Sequence, residues 1–151
     1  VTPSERLAEL GIELPQVAAA AGSYLPTART GNLVYTAGQL PFVEGRLPAT
    51  GRVGAEVSPE DAQAYARQAG LNVLAALHAA VGIDNVQRIV KVVGFVASAE
   101  GFTGQPGVVN GASDLFAEVF GEAGRHARSA VGVAELPLGS PVEVEAIAEV
   151  R

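Results

Sequence analysis

Apolar and polar residues alternate most regularly at the C-terminal end of the chain. Val142, Val144, Ala146, Ala148 and Val150 point one way while Glu143, Glu145, Ile147 and Glu149 point the other, the period of two that marks a strand. A strand at Arg128–Glu135 precedes it, and the short connection Leu136-Pro137-Leu138-Gly139-Ser140-Pro141 predicts that the two pair as a hairpin. Val86–Ser98 reads as the strongest strand, with Ile89, Val93 and Phe95 on one face and Val90, Val92 and Val96 on the other. A strand apolar on both faces is covered on both. A helix is expected over one face and a neighbouring subunit over the other.

Helical spacing appears in three places. Ser58-Pro59-Glu60-Asp61 supplies an N-cap, a first-turn proline and first-turn acids, and an apolar stripe of Ala62, Tyr65, Ala66, Ala69, Val73, Ala76, Leu77 and Ala80 runs on to Gly82. Val108–Phe120 repeats the pattern after a Gln-Pro-Gly turn and ends at Gly121. Thr2–Leu10 is a short capped helix closed by Gly11. Between Pro15 and Val57 lie an extended piece (Gln16–Ala21), a turn at Thr30-Gly31-Asn32, and a strand at Leu33–Gly38. An irregular excursion follows, with a small hairpin at Glu44-Gly45. The order is ββαβαββ: one α+β domain over residues 1–151, helices on one sheet face, residues 1–15 a helical N-terminal extension.

Composition narrows the function. Apolar residues make up 48% of the 151, but aromatics only 5%, so the core is built from Ala, Val, Leu and Ile, and part of the apolar surface is expected to be buried against other copies. The net charge of −6, with only 10 scattered Lys and Arg, argues against nucleic acid as a partner. The chain has no cysteine, which excludes disulfides and thiol catalysis, and its two histidines lack the neighbours a metal site needs. No apolar run approaches the ~20 residues of a membrane helix. A cytoplasmic protein without metal or cofactor and without membrane contact is the expectation.

The candidate chemistry rests on few groups. Glycine patterns for phosphates or dinucleotides, the nucleophile elbow and the zinc-protease motif are all absent. His78 falls off the apolar stripe and is expected in solvent; His126, in a loop before a strand, is open between solvation and a role as base. Arg128, at the mouth of a small neutral strand, is costly unless its guanidinium reaches water or a carboxylate. Either a protein carboxylate such as Glu149 neutralises it, or it is held for an acidic ligand. In the hairpin, Arg128 and Glu143 would lie on the order of 17–20 Å apart. If they act together, they meet across a subunit interface.

Two stretches resemble a known family. ARSAVGVAELPLGSPVEVEAIA, from Ala127 to Ala148, and GNLVYTAGQLP, from Gly31 to Pro41, resemble signatures of the RidA family, also called YjgF. The run NGASDLFAEVFGEAGRHARSAVG resembles that of a longer branch. The resemblance implies a chorismate-mutase-like fold assembled as a homotrimer around a barrel-like centre. It also implies hydrolysis of reactive enamines and imines, derived from amino acids, to 2-keto acids and ammonia, without a cofactor. Arg128 would grip the 2-imino or 2-keto acid carboxylate and Glu143 would serve the water or a proton. Tyr24, Ala37, Gly38, Asn110 and Ala130 would shape the pocket. Departures thin its polar lining: Leu25-Pro26 follows Tyr24 where Ser-Gln is usual, Ala37 replaces Ser or Thr, Ala130 replaces a frequent Cys, and Gly132 a frequent Glu. A non-catalytic trimer that binds small carboxylates therefore stays in view. So, with less support, does the endoribonuclease or translation-inhibitor activity attached to the family.

Overall fold

The computed structural model describes residues 1–20 and 22–151. Ala21, the last residue of the expected extended piece, lies outside them. The elements are α1 (Pro3–Glu9), β1 (Thr27–Thr30), β2 (Leu33–Thr36), α2 (Pro59–Val81), β3 (Val86–Ala97), α3 (Gln105–Phe120), β4 (Ala127–Val133) and β5 (Val142–Val150). The order β1-β2-β5-β3-β4 makes one mixed sheet, antiparallel except where β4 runs parallel to β3. The expected α+β order is therefore present. Gln105 and Pro106 open α3 rather than forming a turn before it, because a proline is well placed in a first helical turn.

The expected hairpin between the last two strands does not form. β4 and β5 lie on opposite sides of β3, so Glu143 stands beside Phe95 and Arg128 beside Val92, rather than the two strands pairing with each other. The α3 crossover lays β4 down parallel to β3, and Leu136–Pro141 then carries the chain across the end of β3. Leu138 and Gly139 make that crossing with left-handed backbone, φ 59° and 73°. The Ala97 N–H donates to the Pro141 carbonyl where the loop arrives.

β5 alternates without a break, its five small apolar residues buried and its three glutamates and Ile147 half-buried on the other face. β3 does not. A bulge between Ile89 and Lys91 puts Ile89 on the buried face with Val92 and Val96, and leaves Val93 and Phe95 half-buried opposite. Strict alternation over this strand therefore assigned Ile89 to the wrong face.

α2 and α3 cover the buried face, packing Val73, Leu74, Leu77, Leu115 and Phe116 onto Ile89, Val92, Val144 and Ala148. With so few large side chains, the two helices come together closely. A Cβ at Gly111 would collide with the Gln63 carbonyl of α2. α1 docks at the far end of this layer, where the Ser4 N–H and hydroxyl donate to Asp84 at 2.8 and 2.6 Å and Arg6 Nε donates to the Glu118 carbonyl at 3.0 Å. Replacing Gly111 with Ala forces the helices apart, and overpacking of this kind costs about 1–3 kcal/mol. A urea titration of Gly111→Ala is expected to show that loss; an unchanged midpoint would mean the helix spacing tolerates a methyl.

Candidate functional site

One of the candidate clusters forms on the half-buried face of the sheet. Gln39 exchanges both backbone hydrogen bonds with Val144, at 2.8 and 3.0 Å, which lays the Ala37–Leu40 segment along β5 beside Glu143. The Glu143 carboxyl occupies the place a Cβ on residue 38 would take, so any larger residue at Gly38 would displace that carboxyl. The turn after β4 brings Pro137 and Leu138 to the same place, and the segment after α1 brings Ala18–Ala20. Together with Tyr24, Leu25, Pro26 and Phe42 they enclose a cavity of about 650 Å³. Asn72 of α2, itself buried, braces one wall by donating to the carbonyls of Leu40 at 2.9 Å and Phe42 at 3.1 Å.

Among the described residues that line this cavity, Glu143 is the only charged one. Burial, and secondarily the charge of Glu145 on the same face, hold its carboxyl above the usual carboxylate range. A carboxyl raised toward neutrality can both take and return a proton.

A second cluster lies on the opposite face. Arg128 shares the register of the buried Val92 and reaches α3, where its NH1 donates to Asn110 Oδ1 at 2.7 Å and to Ser113 Oγ at 3.2 Å. Asn110, not Glu149, is therefore its partner. The Asn110 Nδ2 remains to donate beside the guanidinium, so the cluster is cationic and supplies donors for an anion. Ala130, two residues along β4, packs against the buried residues Val96, Val108 and Val109 of the helix side.

Tyr24, Ala37, Gly38 and Glu143 are thus brought together, and Arg128, Asn110 and Ala130 are brought together, but the two groups do not meet. Arg128 and Glu143 are two strands and three residues apart in register, roughly 14 Å between backbones at ~4.8 Å and ~3.3 Å spacings, and they project from opposite faces. The two are apart, as the sequence reading expected, but at roughly 14 Å rather than about 17–20 Å, because β3 lies between their strands. The Ala18–Ala20 wall and Phe42 were missed, since neither carries a polar group. Ser113 was missed too, although its place one turn beyond Asn110 puts both on one helix face. His126 is half-buried rather than solvated, with its Nε2 2.9 Å from Ser113 Oγ. Among the described residues no helix is long and apolar enough to cross a membrane, and no three His, Asp or Glu gather as a metal site.

The sequence and the fold match a known family. The model described as "YjgF/chorismate mutase-like, putative endoribonuclease" covers residues 4–150, and the chain belongs to that family, also called RidA. It is 47% identical to Protein TCP17 of Trypanosoma cruzi over 96% of this chain and 92% of that one. It is 39% identical to the 2-iminobutanoate/2-iminopropanoate deaminase of Escherichia coli over 86% of this chain and 89% of that one. The crystal structure of a putative endoribonuclease from Shewanella oneidensis matches with a TM-score of 0.96 at 38% identity, covering 99% of this chain and 100% of that one.

The raised carboxyl has a consequence for stability. A carboxyl whose folded pKa exceeds its unfolded value binds its proton more tightly when folded. Its burial therefore destabilises the fold increasingly as pH rises from the unfolded pKa through the folded one. Glu143→Gln is expected to unfold at a higher temperature than the parent at about pH 8, and the gap should narrow as pH falls and close below the ordinary glutamate value of about 4.3, where the carboxyl is protonated in both folded and unfolded chain. A gap that does not change with pH would mean Glu143 is fully solvated.

Proposed function

We propose that this protein hydrolyses imines and enamines derived from amino acids to 2-keto acids and ammonia, at sites shared between neighbouring subunits of a homotrimer. The observation that carries this reading is the split of complementary groups across one chain. A cationic cluster around Arg128 lies on one face of the sheet, and a carboxyl, Glu143, lies in an apolar cavity on the other. Neither half is a site by itself, and a second copy supplies the missing half to each. The half-buried face carries Val93, Phe95 and Ile147, with Tyr35 and Val131 still 41% and 42% exposed, which suits burial against other copies. β4 is an edge strand with its outer side unpaired in the sheet.

The chemistry asks for little. Arg128 of one chain grips the carboxylate, with Asn110 beside it as a further donor, while Glu143 of the next takes a proton from water as the water adds to the imine carbon. Nitrogen receives that proton to give a neutral carbinolamine, and a second proton then passes through Glu143 from its hydroxyl to its nitrogen as the C–N bond breaks, so that ammonia leaves a 2-keto acid. An enamine reaches the same path by first taking a proton at carbon. Holding water against a fixed, already reactive carbon supplies most of the gain. Proton transfer by Glu143 adds at most about 10²–10⁴-fold. Leu25, Pro26, Leu40, Phe42 and Leu138 offer the substrate's side chain an apolar wall, which favours imines of apolar amino acids. The deaminase name of the Escherichia coli relative supports the reaction class.

Ala37 and Ala130, standing where polar groups are usual, favour a second reading, a trimer that binds small carboxylates without turning them over. Amino-acid oxidase acting on leucine, alanine or phenylalanine in the presence of semicarbazide separates the two. The parent protein is expected to lower the yield of trapped imine, and Glu143→Gln is expected to leave it unchanged. If the parent at excess lowers trapping for none of the amino acids, the hydrolase reading fails and the binding reading replaces it.

A further inference from the structure

Arg128 is held by more than one neighbour. A guanidinium carries two N–H bonds on NH1, and both are engaged here, by Asn110 Oδ1 at 2.7 Å and Ser113 Oγ at 3.2 Å. Its Nε–NH2 edge has no hydrogen-bond partner among the described residues, and that edge is one of the two that can meet a carboxylate with paired bonds.

Behind Ser113 the connection continues inward. Ser113 Oγ lies 2.9 Å from His126 Nε2, and His126 Nδ1 lies 2.6 Å from the Gly124 carbonyl. A carbonyl can only accept, so the ring's Nδ1 carries the proton. In the neutral ring Nε2 is then bare, and the Ser113 hydroxyl donates to it. Burial favours that neutral form, and the nearby charge of Arg128 adds to it, against the opposing effect of the Gly124 hydrogen bond. The ring is wedged edge-on against Phe116, with centroids 5.9 Å apart and planes at 75°. Each bond in this series has one sense. His126 takes the serine's hydrogen, and the serine's lone pairs are left for the guanidinium.

We propose that Ser113 and His126 are positioning residues for Arg128. They orient the serine hydroxyl so that it anchors the NH1 end and presents the Nε–NH2 edge to the ligand's carboxylate. This rests on the reading of Arg128 as the carboxylate grip. Asn110 alone leaves the guanidinium free to swing about a single bond; two acceptors on adjacent turns of α3 fix its plane.

The test is calorimetric titration of the full-length protein with pyruvate and 2-ketobutyrate, alongside steady-state kinetics in the imine assay. The parent is expected to bind, and Arg128→Ala to lose binding. Ser113→Ala is expected to weaken binding about tenfold, the worth of one charge-assisted hydrogen bond, and to raise KM with little change in kcat. Ser113→Thr, which keeps the hydroxyl, is expected to restore most of it. His126→Phe should behave as Ser113→Ala does; should it fail to fold, the serine pair still decides. Parent-like binding by a folded Ser113→Ala, with Arg128→Ala still dead, overturns the positioning role and leaves the grip intact. Parent-like binding by Arg128→Ala, or no binding by the parent, overturns the grip itself and the positioning role with it.

Discussion

The placing of β3 between β4 and β5 is the constraint on which the rest depends. Leu136–Pro141 does not turn back on itself but crosses the end of β3, so the two C-terminal strands become its flanking neighbours. Because residues beside one another on adjacent strands share a face, this register sends Arg128 toward the helices with Val92 and Glu143 away from them with Phe95. One chain consequently carries the Arg128 cluster and the Glu143 cavity on opposite faces and does not bring them together. The same arrangement leaves β4 at the edge and leaves a sheet face without helices, where Val93, Phe95 and Ile147 lie among three glutamates.

A core of small residues keeps the remaining parts in reach. α2 and α3 approach at Gly111, and α3 lies close enough over the sheet for Asn110 and Ser113 to meet a guanidinium rising from the edge strand. A bulkier core would lift α3 and lengthen both bonds. The N-terminal extension serves two ends. α1 docks far from the cavity, on the turn after α2 and on α3, while the chain that follows it returns to wall the cavity with Ala18–Ala20. Glu143 sits where burial works against its charge, an arrangement that costs stability and gives a carboxyl able to exchange protons.

Periodicity made most of the fold legible. The caps at Thr2 and Ser58 and the alternation of β5 are all present where the pattern put them. What escaped was set by pairing between distant segments. A short loop between two strands reads as a hairpin unless the α3 crossover is known to have fixed the direction of β4. The bulge at Ile89 leaves no mark in a run of valines. For the site, resemblance picked out Tyr24, Gly38, Asn110, Arg128 and Glu143, and the structure sorts them into two clusters. Ser113 and His126 stayed hidden because their connection to Arg128 exists only after α3 and β4 pack.

The central claim, that each site is completed by a second chain, is open to a direct measurement. Arg128→Ala and Glu143→Gln would each be inactive alone. Co-refolded in equal amounts, they would assemble the proposed trimers, in some of whose sites an intact Arg128 meets an intact Glu143 from the neighbouring chain. Random assembly makes that about a quarter of all sites. Activity of the mixture in the imine assay near about a quarter of the parent's is the predicted result. A mixture as inactive as either variant, once mass spectrometry has verified mixed trimers, would contradict it.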